Sequence, residues 1–501
     1  MEYDAIIIGA GSGGLAAGLK LSCCGKKVLF IEKQPGAGGF ATGFKRKGFS
    51  FESSLHCVDA LDKEGEVRKH LEAFGVAEKV EFIALKDFMR VIYPEHDFIA
   101  DFNRAHLVDY LLAAFPGEEK GIKKLFSEFD RFYRQFKKFS SSPLPYWLLM
   151  LLSPFIYPAI VKAACLTAGQ MIDRRLKDKK LRALITDIWR YMGLPPSKLS
   201  ALYFLIVFTG FYYDSTVYIK GGYQALFQAI AERIKEKGGV FKFNTSVAKI
   251  VTAKGRAVSA VVTESGETYK AKSVISNANI LDTLSVMLDD ETLKNKYRAR
   301  LSAMEKSVSA FQVYLGLKLP AKSLGMDHFM FSINTAYDQD ANYNYSLSGD
   351  YEHCPLILVD HAQLDPGLAP DGKGSLLIMT LDNYANWADL GAEEYRQKKA
   401  QVAQKFIQRA EKLLPGLSAN IEVMEAATPR TMQRYGISPE GAIYGFAQLP
   451  SQSVISRPAQ QTGIKGLFLA GAWTRPGAGA HACFVSGIEA ADLTLAYLKY
   501  C

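Results

Sequence analysis

The strongest constraint on this chain lies at its start. Residues 4–9 read DAIIIG, an apolar run with the character of a strand buried on both faces of a parallel sheet. Gly9, Gly11 and Gly14 follow in GxGxxG spacing with Gly13 beside them, and 15–21 then show helical apolar periodicity. A second strand, KVLFIE, ends at Glu32. Strand, glycine turn, helix and strand within about thirty residues make a βαβ unit. In such a unit the first glycine permits the tight turn, and the second lets the backbone approach a pyrophosphate. The third lets helix and strand pack closely, with the helix N-terminus facing the anion. An acid at the end of the second strand accepts hydrogen bonds from an adenosine ribose. Glu32 therefore turns a common glycine turn into a nucleotide site.

Glu32 is followed by Lys33 and a second glycine turn at Gly36, Gly38 and Gly39. A turn there suits a longer dinucleotide lying along the domain, which favours FAD over NAD. Further on, helical patterns rich in aromatics and lysine run from about 74 to 218. Gly221 and Gly222 open a helix reaching Lys237. Strand-like stretches follow at 240–251, 257–263 and 268–276, with turn signals at Gly238-Gly239, Lys254-Gly255 and Ser265-Gly266. Residues 307–318 and 374–381 read as strands of a second sheet, and 392–414 as a charged amphipathic helix. The C-terminus returns to strand (466–471), glycine-rich turn and helix (486–498).

This is the pattern of an α/β protein whose dinucleotide domain is interrupted by a second domain. The nucleotide-binding domain is drawn from 1–85, 216–285 and 436–501. An inserted α+β substrate domain is drawn from 86–215 and 286–435. With 501 residues, 49% of them apolar and 22% charged, disordered, collagenous and coiled-coil classes are excluded. A net charge of +9 is too small over this length to point to nucleic acid. Seven cysteines without a CxxC pair or a His/Cys ligand spacing predict reduced thiols and no metal site. The opening MEYDAIIIGAG lacks the basic region of a signal peptide, which predicts a cytoplasmic chain.

The C-terminal region is more specific than the fingerprint. Residues 428–445 read TPRTMQRYGISPEGAIYG and 466–491 read GLFLAGAWTRPGAGAHACFVSGIEAA. With Gly221-Gly222, Ala225-Leu226, 274–278 and 365–380, these make the whole chain resemble the FAD-dependent phytoene desaturase, carotenoid isomerase and retinol saturase family. The resemblance implies a Rossmann-type FAD domain of the glutathione-reductase-like kind, and an enzyme acting on the carbon–carbon bonds of a long polyene. It places Gly9, Gly11, Gly13 and Gly14 at the pyrophosphate, Glu32 at the adenosine ribose, and Gly38 and Gly39 near the ribityl phosphate, with Lys33 among the cofactor-binding residues. Val247 would meet adenine through its backbone, and Gly471 and Ala472 the ribityl chain. Pro476, Gly477 and Gly479 would bring a helix N-terminus to the flavin pyrimidine edge, where its dipole stabilises negative charge on a reduced flavin. Ser54 stands where relatives have Gly.

No second strand–GxGxxG–helix unit follows, so the expected electron partner is external to the chain. His56 and His481 are the candidate catalytic residues, since each flanks a segment assigned to the flavin; each is also readable as a packed or surface histidine. Between Lys138 and Lys162 lie 23 uncharged residues, broken by Pro154 and Pro158. Before them, Phe129, Phe132, Tyr133 and Phe136 share a helical face, with Arg131, Arg134, Lys137 and Lys138 on the same turns. Residues 131–161 thus read either as a segment lying on a membrane, peripherally on its cytoplasmic side, or as an interior hairpin lining an apolar cavity. Both imply an apolar ligand. Two further readings stand beside the oxidoreductase: a cis–trans isomerase without net redox change, and a non-catalytic lipid carrier on a flavoprotein scaffold.

Overall fold

The computed structural model describes residues 2–500 other than 86, 143, 145, 215 and 254–256. The turn at Lys254-Gly255 singled out above lies outside the described residues, as does the side chain of Trp147 in the uncharged stretch before Lys162.

The apolar runs of the fingerprint become the centre of a seven-stranded sheet. Its parallel part runs Val240–Lys242, Val28–Ile31, Glu2–Ile8, Thr268–Ser276, Leu467–Leu469. An antiparallel hairpin, Val247–Ala253 with Ala257–Thr263, joins the start of Thr268–Ser276. The register sets Ile8 opposite Ile31 and Ser276, Ile31 opposite Lys242, and Ser276 opposite Leu469. Five strands therefore end along one rim, the edge at which open α/β sheets bind ligands. One face is covered by helices Ser12–Cys23, Tyr223–Glu236 and Ala480–Leu498. Small residues bring the first and last of these together: a Cβ on Gly487 would sit 2.0 Å from the Gly13 carbonyl oxygen. Ile6, Ile8, Leu29, Ile31 and Val274 face the other side, packing with Ile280, Leu284, Phe446 and Trp473.

The second sheet, also seven-stranded, runs Ile421–Ala427, Ser309–Leu317, Gly374–Asp382, Leu356–Val359, Met330–Ile333, Asp87–Ile92, Asp97–Asp101. Its only parallel pair among the described residues is Met330–Ile333 with Asp87–Ile92. Phe311, Val313 and Leu315 pack under helix Ala392–Glu411 through Phe406, with Trp387, just before the helix, stacked on Phe311. The alternate residues Ala310 and Tyr314 turn to the helical block built from 104–212.

Several expectations need correction. The 74–218 region, read as helices, also contains strands Phe82–Ala84, Asp87–Ile92 and Asp97–Asp101. The 240–251 stretch is two strands in different places, because Asn244 adopts φ +53° between them. Phe129 and Phe132 of helix Glu119–Ser140 are fully buried, with Phe129 packed 5.0 Å from Phe208 ring to ring. That aromatic stripe is core. Helix Tyr146–Ile156 divides instead: Leu149 and Ser153 are buried, while Leu151, Phe155 and Ile156 are 65%, 85% and 48% exposed. Among the described residues, no helix is long and apolar enough to cross a membrane, and the six cysteines are free thiols.

Candidate functional site

At the shared rim of the first sheet lies a cavity of about 590 Å³ that continues onto the second sheet. Gly9, Gly11, Gly13, Glu32, Lys33, Gly38, Gly39, Val247, Gly471, Ala472 and Gly479 all line it. Positions spread from the first to the last helix are thus brought to one wall.

The anion end follows from local backbone. Gly9 takes φ +91°, and Gly11 leads into helix Ser12–Cys23 with no side-chain cap and no acid in its first turn. Its first amides are left to a ligand, and the helix dipole favours negative charge there. Gly11 pairs with Gly38 as an isolated bridge, and the Gly38 amide donates to the Ala10 carbonyl (2.8 Å), which locks the second glycine turn onto the first. The Glu32 carboxylate is buried. It accepts from the Ala10 amide at 2.6 Å and the Gln34 amide at 2.7 Å. A carboxylate has about four acceptor positions, so two stay available to ribose hydroxyls. These features fit a dinucleotide.

Gly14, Pro476 and Gly477 stand outside the lining. A Cβ on Gly14 would meet the Gly9 carbonyl oxygen at 2.1 Å, so this glycine serves packing of the helix onto the turn. Gly477 backs onto Gln448 and Arg457. Ser54 lines the cavity, with its hydroxyl donating to the Phe40 carbonyl at 2.5 Å.

Asn277 was not anticipated. A Cβ on Gly11, Gly13 or Gly471 would fall 2.8, 2.6 or 2.5 Å from its amide group. One side chain thus fills the space that three glycines leave open. Its sequence signal is its place directly after the apolar strand Thr268–Ser276, at the same rim as Gly9.

The far end of the cavity is apolar. Ala310, Met379, Met432, Ile443, Tyr444 and Leu55 line it, and Gln312 is its main polar group, its side-chain oxygen accepting from the Tyr314 hydroxyl at 2.6 Å. A second cavity of about 1140 Å³ shares Phe40, Ser53, Met432 and Tyr435 with the first, and adds Phe44, Tyr314, Tyr384 and Tyr395.

Neither candidate histidine lines either cavity. His56 is buried, 3.3 Å from the Tyr191 hydroxyl; burial and the neighbouring His361 push it down to about 3, so it is neutral. His481 opens helix Ala480–Leu498 within a cluster, its Nδ1 3.2 Å from Asp59 and its Nε2 3.9 Å from Glu66. Burial alone would depress His481, but the two carboxylates outweigh it and push it up to about 10. Its unfolded value is about 6.5. A raised folded value gives stability that is complete below about pH 6.5 and is lost as pH rises through about 10. Between about pH 7 and 10 the thermal midpoint of the wild type is expected to fall more than that of His481→Gln. Parallel declines measured by calorimetry would remove this cluster from the account.

Comparison with known proteins agrees with this geometry. The family described as flavin containing amine oxidoreductase matches residues 12–495. The prolycopene isomerase of Daucus carota is 26% identical over 509 residues, covering 99% of this chain and 80% of that protein. The all-trans-retinol 13,14-reductase of Danio rerio is 26% identical over 510 residues, covering 94% and 82%. The solved structure of cyclohexylamine oxidase from Brevibacterium oxydans superposes with a TM-score of 0.63 over the whole of both chains, at 17% identity, a likeness of fold.

Proposed function

Because the chain belongs to the flavin-containing amine oxidoreductase family, we propose that it uses FAD to oxidise, reduce or isomerise carbon–carbon bonds of a long isoprenoid polyene. The observation that carries this reading is the continuity of one cavity from the Gly9–Gly14 turn and Glu32 to the apolar wall of Ala310, Met379, Met432 and Ile443. When bound, FAD supplies hydride or electron transfer at its flavin ring.

The protein's own residues bind, orient and exclude water. Glu32 holds the ribose, and the uncapped N-terminus of Ser12–Cys23 holds the pyrophosphate. Gly479 and Ala480, which line the cavity, bring the N-terminus of Ala480–Leu498 to the cofactor, where its dipole favours negative charge. Among the described residues, the apolar end offers no carboxylate or histidine to the substrate. A hydrocarbon chain loses nothing by leaving water there, and the chemistry proceeds in a dry site.

The names of the plant isomerase and the fish reductase support a polyene substrate, and between them they leave redox-neutral isomerisation and saturation as readings beside desaturation. The electron donor or acceptor is external. Expression in cells that accumulate candidate polyenes, followed by chromatography with absorption spectra, tests the proposal. A product with a lengthened, shortened or re-isomerised chromophore is expected; unchanged polyenes throughout would contradict it.

A water-insoluble substrate calls for a route from a bilayer. Leu151, Phe155 and Ile156 form an exposed apolar tip, and Arg131, Arg134 and Lys138 are exposed on the preceding helix. The two are neighbours, since Phe139 and Tyr157 stack edge to face at 5.4 Å. Each basic residue adds about 1 kcal/mol of attraction to an anionic surface, and the apolar tip adds about 25 cal/mol per Å² buried. The protein then sits peripherally on the cytoplasmic side of its membrane. Wild type is expected to float with anionic liposomes, while a Leu151→Ser, Phe155→Ser, Ile156→Ser variant stays below with its flavin. Equal flotation would remove the tip from the reading.

A further inference from the structure

We propose that Arg457 is the fixed cation behind the 472–479 loop, and that the anion it is built to face is the reduced FAD itself. The inference rests on the FAD assignment and goes beyond it, because it assigns the cofactor's electrostatics to a residue outside the cavity wall.

Arg457 is 1% exposed. Its guanidinium donates to the backbone carbonyls of Tyr444 (2.8 Å), Phe446 (2.8 Å), Gln452 (3.2 Å) and Ala472 (3.1 Å), and to the Gln448 side-chain oxygen (3.2 Å). Every acceptor is neutral. Among the described residues, no carboxylate pairs with it. The ionisable groups beside it, Tyr203 and Cys483, are both pushed up by burial and so carry no charge. Buried charges are ordinarily paired, since taking an ion out of water without a counter-charge is costly. Neutral donors would serve to tie five carbonyl groups together. The charge is the part left unexplained by the staple.

A second observation points to the same loop. Gln448 is fully buried, and its amide nitrogen has no hydrogen-bond partner. That nitrogen lies 3.4 Å, and the Arg457 Nε 3.5 Å, from where a Cβ on Gly477 would stand. The Tyr203 hydroxyl donates to the Ala478 carbonyl at 3.0 Å, fixing the loop against this layer. The loop over Arg457 and Gln448 is the one that leads to Gly479 and the cofactor cavity. A cation held there favours electron density arriving at the flavin pyrimidine edge, and adds to the dipole of helix Ala480–Leu498. Arg457 is thus a positioning residue that acts through the loop. The Asp59–His481–Glu66 cluster is left untouched by the variants below.

The test uses FAD-loaded protein and sulfite as probe. Sulfite shares its lone pair with flavin N5, and the displaced electron pair remains as negative charge on the pyrimidine ring, so no further reactant is needed. Gln448→Glu keeps size and shape while giving Arg457 a carboxylate partner. It is expected to weaken sulfite binding about tenfold and lower the two-electron midpoint potential by about 30 mV. Arg457→Met is expected to shift both in the same direction, and Arg457→Lys to restore most of the change. Should Arg457→Met fail to fold, Gln448→Glu carries the test alone. A Gln448→Glu protein that keeps its flavin with wild-type potential and wild-type sulfite affinity overturns the proposal. A wild type that retains no flavin would instead overturn the cofactor assignment.

Discussion

A Glu32→Arg protein is expected to purify folded and without flavin. The Glu32 carboxylate closes the end of strand Val28–Ile31 and holds the glycine turn by accepting from the Ala10 amide. Its free acceptor positions are the ones a ribose needs. Losing a hydrogen bond to a charged group costs roughly 1.5–3 kcal/mol, or about ten- to a hundredfold in affinity. The substituted guanidinium also fills the adenosine end of the cavity, beside Val247 and Ala248. Glu32→Gln keeps an acceptor and the side-chain volume, and should retain part of the cofactor. The ratio of flavin to protein absorbance, with circular dichroism as the check on folding, reads the outcome. A full flavin complement in Glu32→Arg would place the ribose elsewhere.

The second large effect is expected at the opposite end. Ala310 is 1% exposed, on the face of Ser309–Leu317 that looks into the cavity beside Gln312 and Met379. A tryptophan there occupies the space assigned to the polyene. Ala310→Trp should keep FAD and lose polyene conversion to below detection. Overpacking costs roughly 1–3 kcal/mol, so a moderately lowered thermal midpoint is expected, and the retained flavin spectrum separates a blocked site from a collapsed one. Wild-type turnover in this variant would move the substrate to the second cavity, behind Phe40 and Phe44.

The nucleotide half of the site was legible because it is written in local signals. Gly9, Gly11 and Glu32 lie on one βαβ unit, and the demands of a tight turn, an anion and a ribose select residue types at short spacing. Gly471, Ala472 and Gly479 became legible through the resemblance of the C-terminal segment. Arg457 carried no such signal, and Asn277 only its place directly after an apolar strand. Their roles arise where distant strands and loops meet, Asn277 among glycines 11, 13 and 471, and Arg457 among the carbonyls of 444–472.

The second sheet was only partly readable for a related reason. Ser309–Leu317 and Gly374–Asp382 are long enough to declare themselves. Met330–Ile333, interrupted by Ser332, and the apolar Leu356–Val359 are only four residues long, and their strand character comes from their neighbours. Phe129 and Phe132 show the limit of an amphipathic pattern. It identifies a face, and the packing of Phe204 and Phe208 against that face decides that it is core. The two histidines were placed near the flavin by sequence adjacency. His56 instead lies buried beside Tyr191, and His481 is held by Asp59 and Glu66, so each is fixed in place outside the lining.

The central claim is that FAD and a polyene share one cavity. Anaerobic mixing of flavin-loaded protein, oxidised and then photoreduced, with candidate polyenes in mixed micelles tests it most directly, with both chromophores followed together. The account predicts that the polyene spectrum changes in step with flavin reduction or reoxidation, or with reduced flavin alone when the reaction is an isomerisation, and that Ala310→Trp abolishes the change. Flavin that ignores every polyene offered but is bleached by an aliphatic amine would contradict it.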